Sequence, residues 1–245
     1  MLAGVMQQNE VHSRPVAVVT GGSRGLGRAF TLSLVRHGWH VVIDARDPVR
    51  FTEMIAQLET PLAMTVVPGD VRDPHHRRRL AAAAAEMGGL DLLVNNASVL
   101  GPSPQPHLAD YPLAVLEEVY AVNTLAPLAL FQVLVPQLAR RGGRVINISS
   151  DAAVQPYPGW GGYGSAKAAL DQLTAVLAVE HPTLRVYAFD PGDMATDLHQ
   201  QPFPGEDISD RPAPERVVPA LLALVEADLP SGRYRAAELM VEAGR

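Results

Sequence analysis

Val16-Ala17-Val18-Val19-Thr20-Gly21-Gly22-Ser23-Arg24-Gly25-Leu26-Gly27 is the stretch whose reading decides the fold. Val16 to Thr20 is an almost continuous apolar run, the pattern of a strand buried on both faces. The glycines after it permit a tight turn. Residues 25–37 then read as a helix, stopped by Gly38 in the usual C-terminal place.

The same alternation continues outward. Further strands are expected at 40–44, 63–67, 91–94, 144–148 and 184–189, with a weak last one near 234–240. Helices are expected at 50–59, 75–87, from the Pro-rich loop 101–106 to about 139, at 161–180 and at 214–227. Strand–helix repetition with short connections gives right-handed βαβ units. The expected fold class is therefore α/β, a doubly wound, Rossmann-like parallel sheet in a single domain over 15–245, with 1–14 as a flexible N-terminal arm. The Pro-rich stretch 190–214 is too long for a plain connection and is expected to be a substrate loop or lid.

Composition excludes several classes. The chain has 245 residues, 47% apolar and 19% charged, enough to bury a substantial core. It has no cysteine, hence no disulfide framework, thiolate metal site or cysteine nucleophile. No apolar run reaches the roughly 18 to 20 residues that span a bilayer. The net charge of −6 disfavours a general polyanion binder, and His75-His76-Arg77-Arg78-Arg79 reads as a solvated or locally paired helix start rather than a nucleic-acid site. The eight histidines show no metal-ligand spacing, so no metal is expected. No G-x-S-x-G marks a hydrolase serine. A cytoplasmic protein is the default expectation, without nucleic-acid or membrane partners.

The basic residues are unusual: 19 arginines and one lysine, Lys167. Codon bias favours arginine in general. A compact ammonium differs from guanidinium where it must shift a neighbour's pKa or pass a proton, so the position that kept lysine is a candidate for chemistry.

A glycine turn between a strand and a helix is the context of a dinucleotide site, where helix N–H groups and dipole meet a pyrophosphate. At the end of the second strand, an acidic residue would bind the ribose hydroxyl of NAD and an arginine the extra phosphate of NADP. Asp44-Ala45-Arg46 offers both, with Asp44 either pointing away or pairing with an arginine; Arg24 in the turn leans the reading to NADP(H) over NAD(H). Asp70, followed by Val71, is a candidate for the adenine amino group. Asn95-Asn96-Ala97-Ser98 follows the fourth strand, where such sheets bind ligands, although paired asparagines also cap turns.

Tyr163 and Lys167 lie four apart on one helix face. A neighbouring ammonium lowers a phenol's pKa, which makes Tyr163 a candidate general acid/base. Ser150, at the end of the fifth strand, can hydrogen-bond a carbonyl oxygen as charge develops there. Asn123, inside a helical stretch, either holds a water on a proton path or satisfies a buried backbone group.

Thr20-Gly21-x-x-x-Gly25-x-Gly27, Asp70, Asn95-Asn96-Ala97, Asn123, Ser150, Tyr163-x-x-x-Lys167 and Pro191-Gly192, in this order, resemble the short-chain dehydrogenases/reductases in their single-domain branch, from about residue 15 to 234. The resemblance implies an oxidoreductase that moves a hydride between NADP(H) and a small-molecule carbonyl or secondary alcohol, by way of Asn123, Ser150, Tyr163 and Lys167. It implies a cofactor site at Gly21, Ser23, Arg24, Gly25, Leu26, Gly27, Arg46, Asp70, Val71, Asn96, Ala97, Tyr163, Lys167, Pro191, Gly192, Met194 and Thr196. It also suggests a homodimer or homotetramer. Ser98 departs from the family's usual glycine, and the C-terminal segment lacks its common Val-Asp-Gly-Gly ending. The alternative is an NADP(H)-binding sensor or scaffold without turnover, against which the intact Tyr–Lys–Ser–Asn set argues.

Overall fold

The computed structural model describes residues 14–44, 54–55 and 63–242. Arg46, nearly all of the helix expected at 50–59 and all but the last residue of the N-terminal arm lie outside them. Val16–Val19 forms β1, and all four side chains are fully buried, as the unbroken apolar run requires. Alternation along the strand sends Ala17 and Val19 into one core layer and Val16 and Val18 into the other. Each fully buried valine contributes roughly 1.5–3 kcal/mol.

Six more strands join it: β2 (His40–Ile43), β3 (Met64–Val66), β4 (Leu92–Asn95), β5 (Arg144–Ile148), β6 (Arg185–Asp190) and β7 (Gly232–Arg235). Their order is β3-β2-β1-β4-β5-β6-β7 and every neighbouring pair is parallel. The winding direction reverses between β1 and β4, so the loops leaving these two strands diverge at the carboxyl edge and open a crevice. One face is covered by α1 (Gly25–Arg36) with the C-terminal helices α7 (Val218–Glu226) and α8 (Ala236–Glu242). The other is covered by α2 (Pro74–Glu86), α4 (Ala126–Arg141) and α5 (Gly161–Glu180). Two further short helices are α3 (Leu113–Tyr120) and α6 (Asp197–Gln200).

Two expectations need correction. The last strand is Gly232–Arg235, and residues 236–240 turn helical. Ala236 and Leu239 there bury against α7, and Ala-Ala-Glu-Leu-Met are strong helix formers, so packing and propensity agree. The long helix after the Pro-rich loop is broken by a π-helical turn at Ala121–Leu125 that separates α3 from α4. The combined helical stretch Leu113–Arg141 is, at 29 residues, long and apolar enough to cross a membrane by length and composition; half of its most apolar window is buried inside the protein, as in a core helix.

The basic run at the start of α2 is not one exposed face. Asp73 caps the helix by accepting from the His75 N–H (2.8 Å), His76 is buried, and Arg77 donates to the carbonyls of Val71 (2.6 Å) and Arg72 (2.8 Å). These bonds hold the loop after β3 in place.

Candidate active site

The turn after β1 is laced to the loop after β4. The Thr20 hydroxyl accepts from the N–H groups of Asn96 and Ala97 (both 3.0 Å), and the Asn96 amide donates to the carbonyls of Thr20 (2.9 Å) and Gly21 (3.2 Å). The two consecutive asparagines divide their work, because Asn95 turns into the core and donates to Asn147 (2.7 Å), which donates to Thr174 on α5 (2.8 Å). Gly21 and Gly25 hold φ of 64° and 51°, a region where a side chain would be strained. A Cβ on Gly27 would lie 2.4 Å from the Gly21 carbonyl oxygen, so only glycine lets α1 approach the turn. No side chain caps the first N–H groups of α1 and its first turn carries no acidic residue. This is a cradle for an anion, so the residues present fit a dinucleotide pyrophosphate.

Asp44 is buried, accepts from the Gly21 N–H (2.6 Å) and pairs with Nε2 of buried His76 (3.0 Å). Among the described residues its partners are thus a histidine and a backbone amide. Gly69 makes the room: a Cβ there would lie 2.2 Å from His76 Nδ1. Asp70, in contrast, receives the Arg72 guanidinium (2.7 Å).

A cavity of about 920 Å³ opens over this turn and runs along the carboxyl edge of the sheet. Ser23, Arg24, Gly25 and Leu26 line one end, with Gly21, Asp70, Val71, Asn96 and Ala97 beside them. Ser150, Tyr163 and Lys167 line the middle, and Pro191, Gly192, Met194 and Thr196 the opposite wall. Gly27 packs behind the turn instead of facing the cavity. Asp190 to His199, the first part of the expected lid, borders it, as do Trp160 and Leu100. Phe203 does not reach it but stacks on His199, with ring centroids 5.5 Å apart.

α5 delivers Tyr163 and Lys167, one turn apart as the spacing requires. Gly164 lets this helix press on the turn after Ser150, since a Cβ there would lie 2.6 Å from the Ala152 carbonyl oxygen. Tyr163 is 8% exposed and Lys167 only 2%. The Lys167 ammonium donates to the Ile148 carbonyl (2.7 Å) and lies 5.5 Å from the centroid of the Tyr163 ring. Burial pushes the Tyr163 phenol up to about 12; hydrogen bonds with the Ser98 and Ser150 hydroxyls pull it down, and Asp151 and Asp190 push it up. Burial lowers Lys167 to about 8, against a pull upward from Asp171. Desolvation of the phenolate is thus the largest influence on Tyr163, and the same burial disfavours the charge of Lys167.

Asn123 sits in the π-helical turn, fully buried. Its amide donates to the Val99 carbonyl (2.8 Å), and its oxygen accepts from the Val99 N–H (3.0 Å) and the Ser98 hydroxyl (3.1 Å). Of the two readings open from the sequence, satisfying a buried backbone is the one this geometry meets.

Several residues at the site carried little or no sequence signal. Ser98 reaches both Tyr163 and Asn123; its signal was the hydroxyl where the family pattern has glycine. Asp151 accepts from Ser150 (3.1 Å) and from Tyr157 (2.8 Å); the signal is an acid directly after the serine. The Asp44–His76 pair spans 32 residues and is invisible to local pattern. Among the described residues no cluster of His, Cys, Asp and Glu has the makings of a metal site.

A dinucleotide cradle at a topological switch point, leading to a buried Tyr–Lys pair beside a serine, defines an α/β oxidoreductase. The model of the short chain dehydrogenase family matches residues 15–207. The chain belongs to the short-chain dehydrogenase/reductase family. It is 36% identical over 190 residues to the short chain dehydrogenase asqE of Emericella nidulans, covering 72% of this chain and 68% of that one. It is 34% identical over 199 residues to the sepiapterin reductase of Mus musculus, covering 76% of each. Among solved structures, a short chain dehydrogenase from Shigella flexneri complexed with NADP superposes with a TM-score of 0.84 at 25% identity, over 91% of this chain and 97% of that one.

Proposed function

We propose that this oxidoreductase is an NADP(H)-dependent reductase of small-molecule carbonyls, with Tyr163 as the proton donor. The observation that carries the reading is the Tyr163 phenol: it lines the cavity, bonds to the Ser150 and Ser98 hydroxyls, and is protonated at neutral pH because its pKa lies near 12. A general acid must hold its proton until the reaction takes it. NADPH, when bound, supplies the hydride to the carbonyl carbon.

The chain's own residues do the rest. The Ser150 hydroxyl turns from Asp151 to the substrate oxygen and polarises it. Tyr163 gives its proton to that oxygen, and its phenolate is held by the Lys167 cation and by the Ser98 hydroxyl once that turns from Asn123. Gly21, Ser23, Arg24, Gly25 and Leu26 would hold the cofactor phosphates, Asp70 and Val71 the adenine, and Asn96, Ala97, Pro191, Gly192, Met194 and Thr196 the remainder. Asn123 acts by fixing the Ser98–Val99 loop. Preference for NADP(H) is supported by Arg24 at the turn and by Asp44, whose two oxygens are already engaged by Gly21 and His76 instead of a ribose. The S. flexneri relative with bound NADP supports it also.

The test is NADPH and NADH consumption by the pure protein across ketones, aldehydes, quinones and 3-oxoacyl thioesters. Turnover with NADPH, abolished in Tyr163→Phe, is the expected result. Tight NADPH binding with no turnover on any of them would favour the sensor reading.

A further inference from the structure

Arg233 occupies the middle of β7 and has no counterpart in the sequence motifs. Its neighbour Tyr234 turns the other way, into the core beside Tyr187 (ring centroids 5.8 Å apart), so alternation sends Arg233 to the α5 side. There the guanidinium makes three bonds. Nε donates to Asp171 (3.0 Å), and Nη2 donates to the Ser150 carbonyl oxygen (3.0 Å) and to Asp190 (3.1 Å).

These acceptors belong to three separate segments of the site. Asp171 stands one turn beyond Lys167 on α5. Ser150 follows β5. Asp190 ends β6, and its other carboxylate oxygen accepts from the Gly192 N–H (3.0 Å), fixing the Pro191-Gly192 wall. The Asp190 side chain is 3% exposed and that of Asp171 15%, so both are partly or wholly removed from water and need a cation. The planar fork reaches acceptors in divergent directions, which an ammonium on a flexible stem cannot reproduce. Arg235, on the same strand, also approaches Asp190 (3.8 Å), while Asp171 is bonded by Arg233; Asp151 and Tyr157 after β5 lie beside Arg233 as well.

We propose that Arg233 is a positioning residue for the reaction, the guanidinium that ties Ser150, the Tyr163–Lys167 helix and the Pro191-Gly192 wall together in register. The inference rests on the reductase reading above. Misplacement of reacting groups by about 1 Å costs on the order of 100-fold in rate.

The test compares Arg233→Met, Arg233→Ala and Arg233→Lys with wild type on the best aldehyde or ketone of the panel. Arg233→Met is expected to lose about 100-fold in kcat with little change in the KM for NADPH, and Arg233→Lys to recover only part of the loss. Free guanidinium at millimolar concentration restores activity to Arg233→Ala in a saturable way, because truncation at Cβ vacates the guanidinium position and a cavity of about 280 Å³ borders it. The alkaline fall of the rate in Arg233→Met moves to higher pH, because an unneutralised Asp171 favours the Lys167 cation. Loss of stability alone would produce neither the guanidinium rescue nor the shifted limb. A folded Arg233→Met with wild-type kcat, or a reduced kcat with neither rescue of Arg233→Ala nor a shifted limb in Arg233→Met, overturns the proposal and leaves the reductase reading intact. A wild-type protein inactive on the whole panel overturns the reductase reading, and the positioning role falls with it.

Discussion

Lys167→Met exchanges activity for a pH-dependent change in stability. Lys167 is 2% exposed and burial lowers its pKa from 10.5 to about 8. Keeping the ammonium charged in the folded protein at pH 7 therefore costs about 3 kcal/mol, at about 1.4 kcal/mol for each pH unit. Below pH 8 folded and unfolded chains both hold the proton and the full cost is present. Between about 8 and 10.5 the folded form has released its proton while the unfolded chain still binds it, so wild-type stability rises with pH over that window. Methionine has a similar volume and no charge, and it escapes this cost. It also forfeits the bond to the Ile148 carbonyl, about 1–3 kcal/mol, but that loss is nearly independent of pH because a neutral amine still donates. The stability of Lys167→Met relative to wild type should therefore fall by about 3 kcal/mol between pH 7 and pH 10.5. Urea unfolding of both proteins at the two pH values measures it. A difference that is the same at both ends of the window would mean that the lysine carries no desolvation cost, and the reasoning would be wrong.

Three further outcomes are expected. Arg24→Ala should raise the KM for NADPH by about 10- to 100-fold, the worth of one charge-assisted hydrogen bond, and leave that for NADH little changed; equal losses for both cofactors would refute the phosphate role. Ser98→Gly removes a hydrogen bond that holds the Tyr163 pKa down, so the rise of alcohol oxidation with pH should move to higher pH; an unmoved profile counts against contact between the two hydroxyls. Gly27→Ala places a Cβ 2.4 Å from both the Gly21 carbonyl oxygen and the Asn96 amide nitrogen, and should cost about 1–3 kcal/mol of stability with a matching loss of cofactor affinity, read by thermal unfolding and fluorescence titration.

The sequence carried the parts of this molecule that depend on local pattern. The all-apolar β1, the glycine turn and α5 with its four-residue spacing are written in consecutive residues, and the described fold contains them within a residue or two. What stayed hidden depends on distance in the chain. Asp44 and His76 meet across 32 residues, and Arg233 reaches Asp171 across 62 and Ser150 across 83. The C-terminal error has the same origin. Residues 234–240 have the apolar content of a strand, while the helix propensity of Ala236 to Met240 and burial against α7 together make them coil as α8. Asn123 was ambiguous because a poor helix former inside a helix announces a special role without saying which; the π-helical turn and the Val99 bonds show the backbone part of that role.

The two shifted pKa values also bear on direction. At neutral pH the Tyr163 phenol, near 12, is fully protonated, and Lys167, near 8, is mostly charged. That is the state a carbonyl reduction consumes: an acid with its proton in place and a cation beside the phenolate about to form. Alcohol oxidation needs the phenolate at the start, which burial opposes until the pH is strongly alkaline. Reduction should accordingly be nearly flat with pH around neutrality and decline above about pH 8 as Lys167 loses its charge, while oxidation should climb with pH throughout. Initial rates in both directions on one alcohol–ketone pair decide it. Oxidation that peaks at neutral pH would mean that the bound complex lowers the phenol far below 12, and the preference for reduction argued from Tyr163 would not stand.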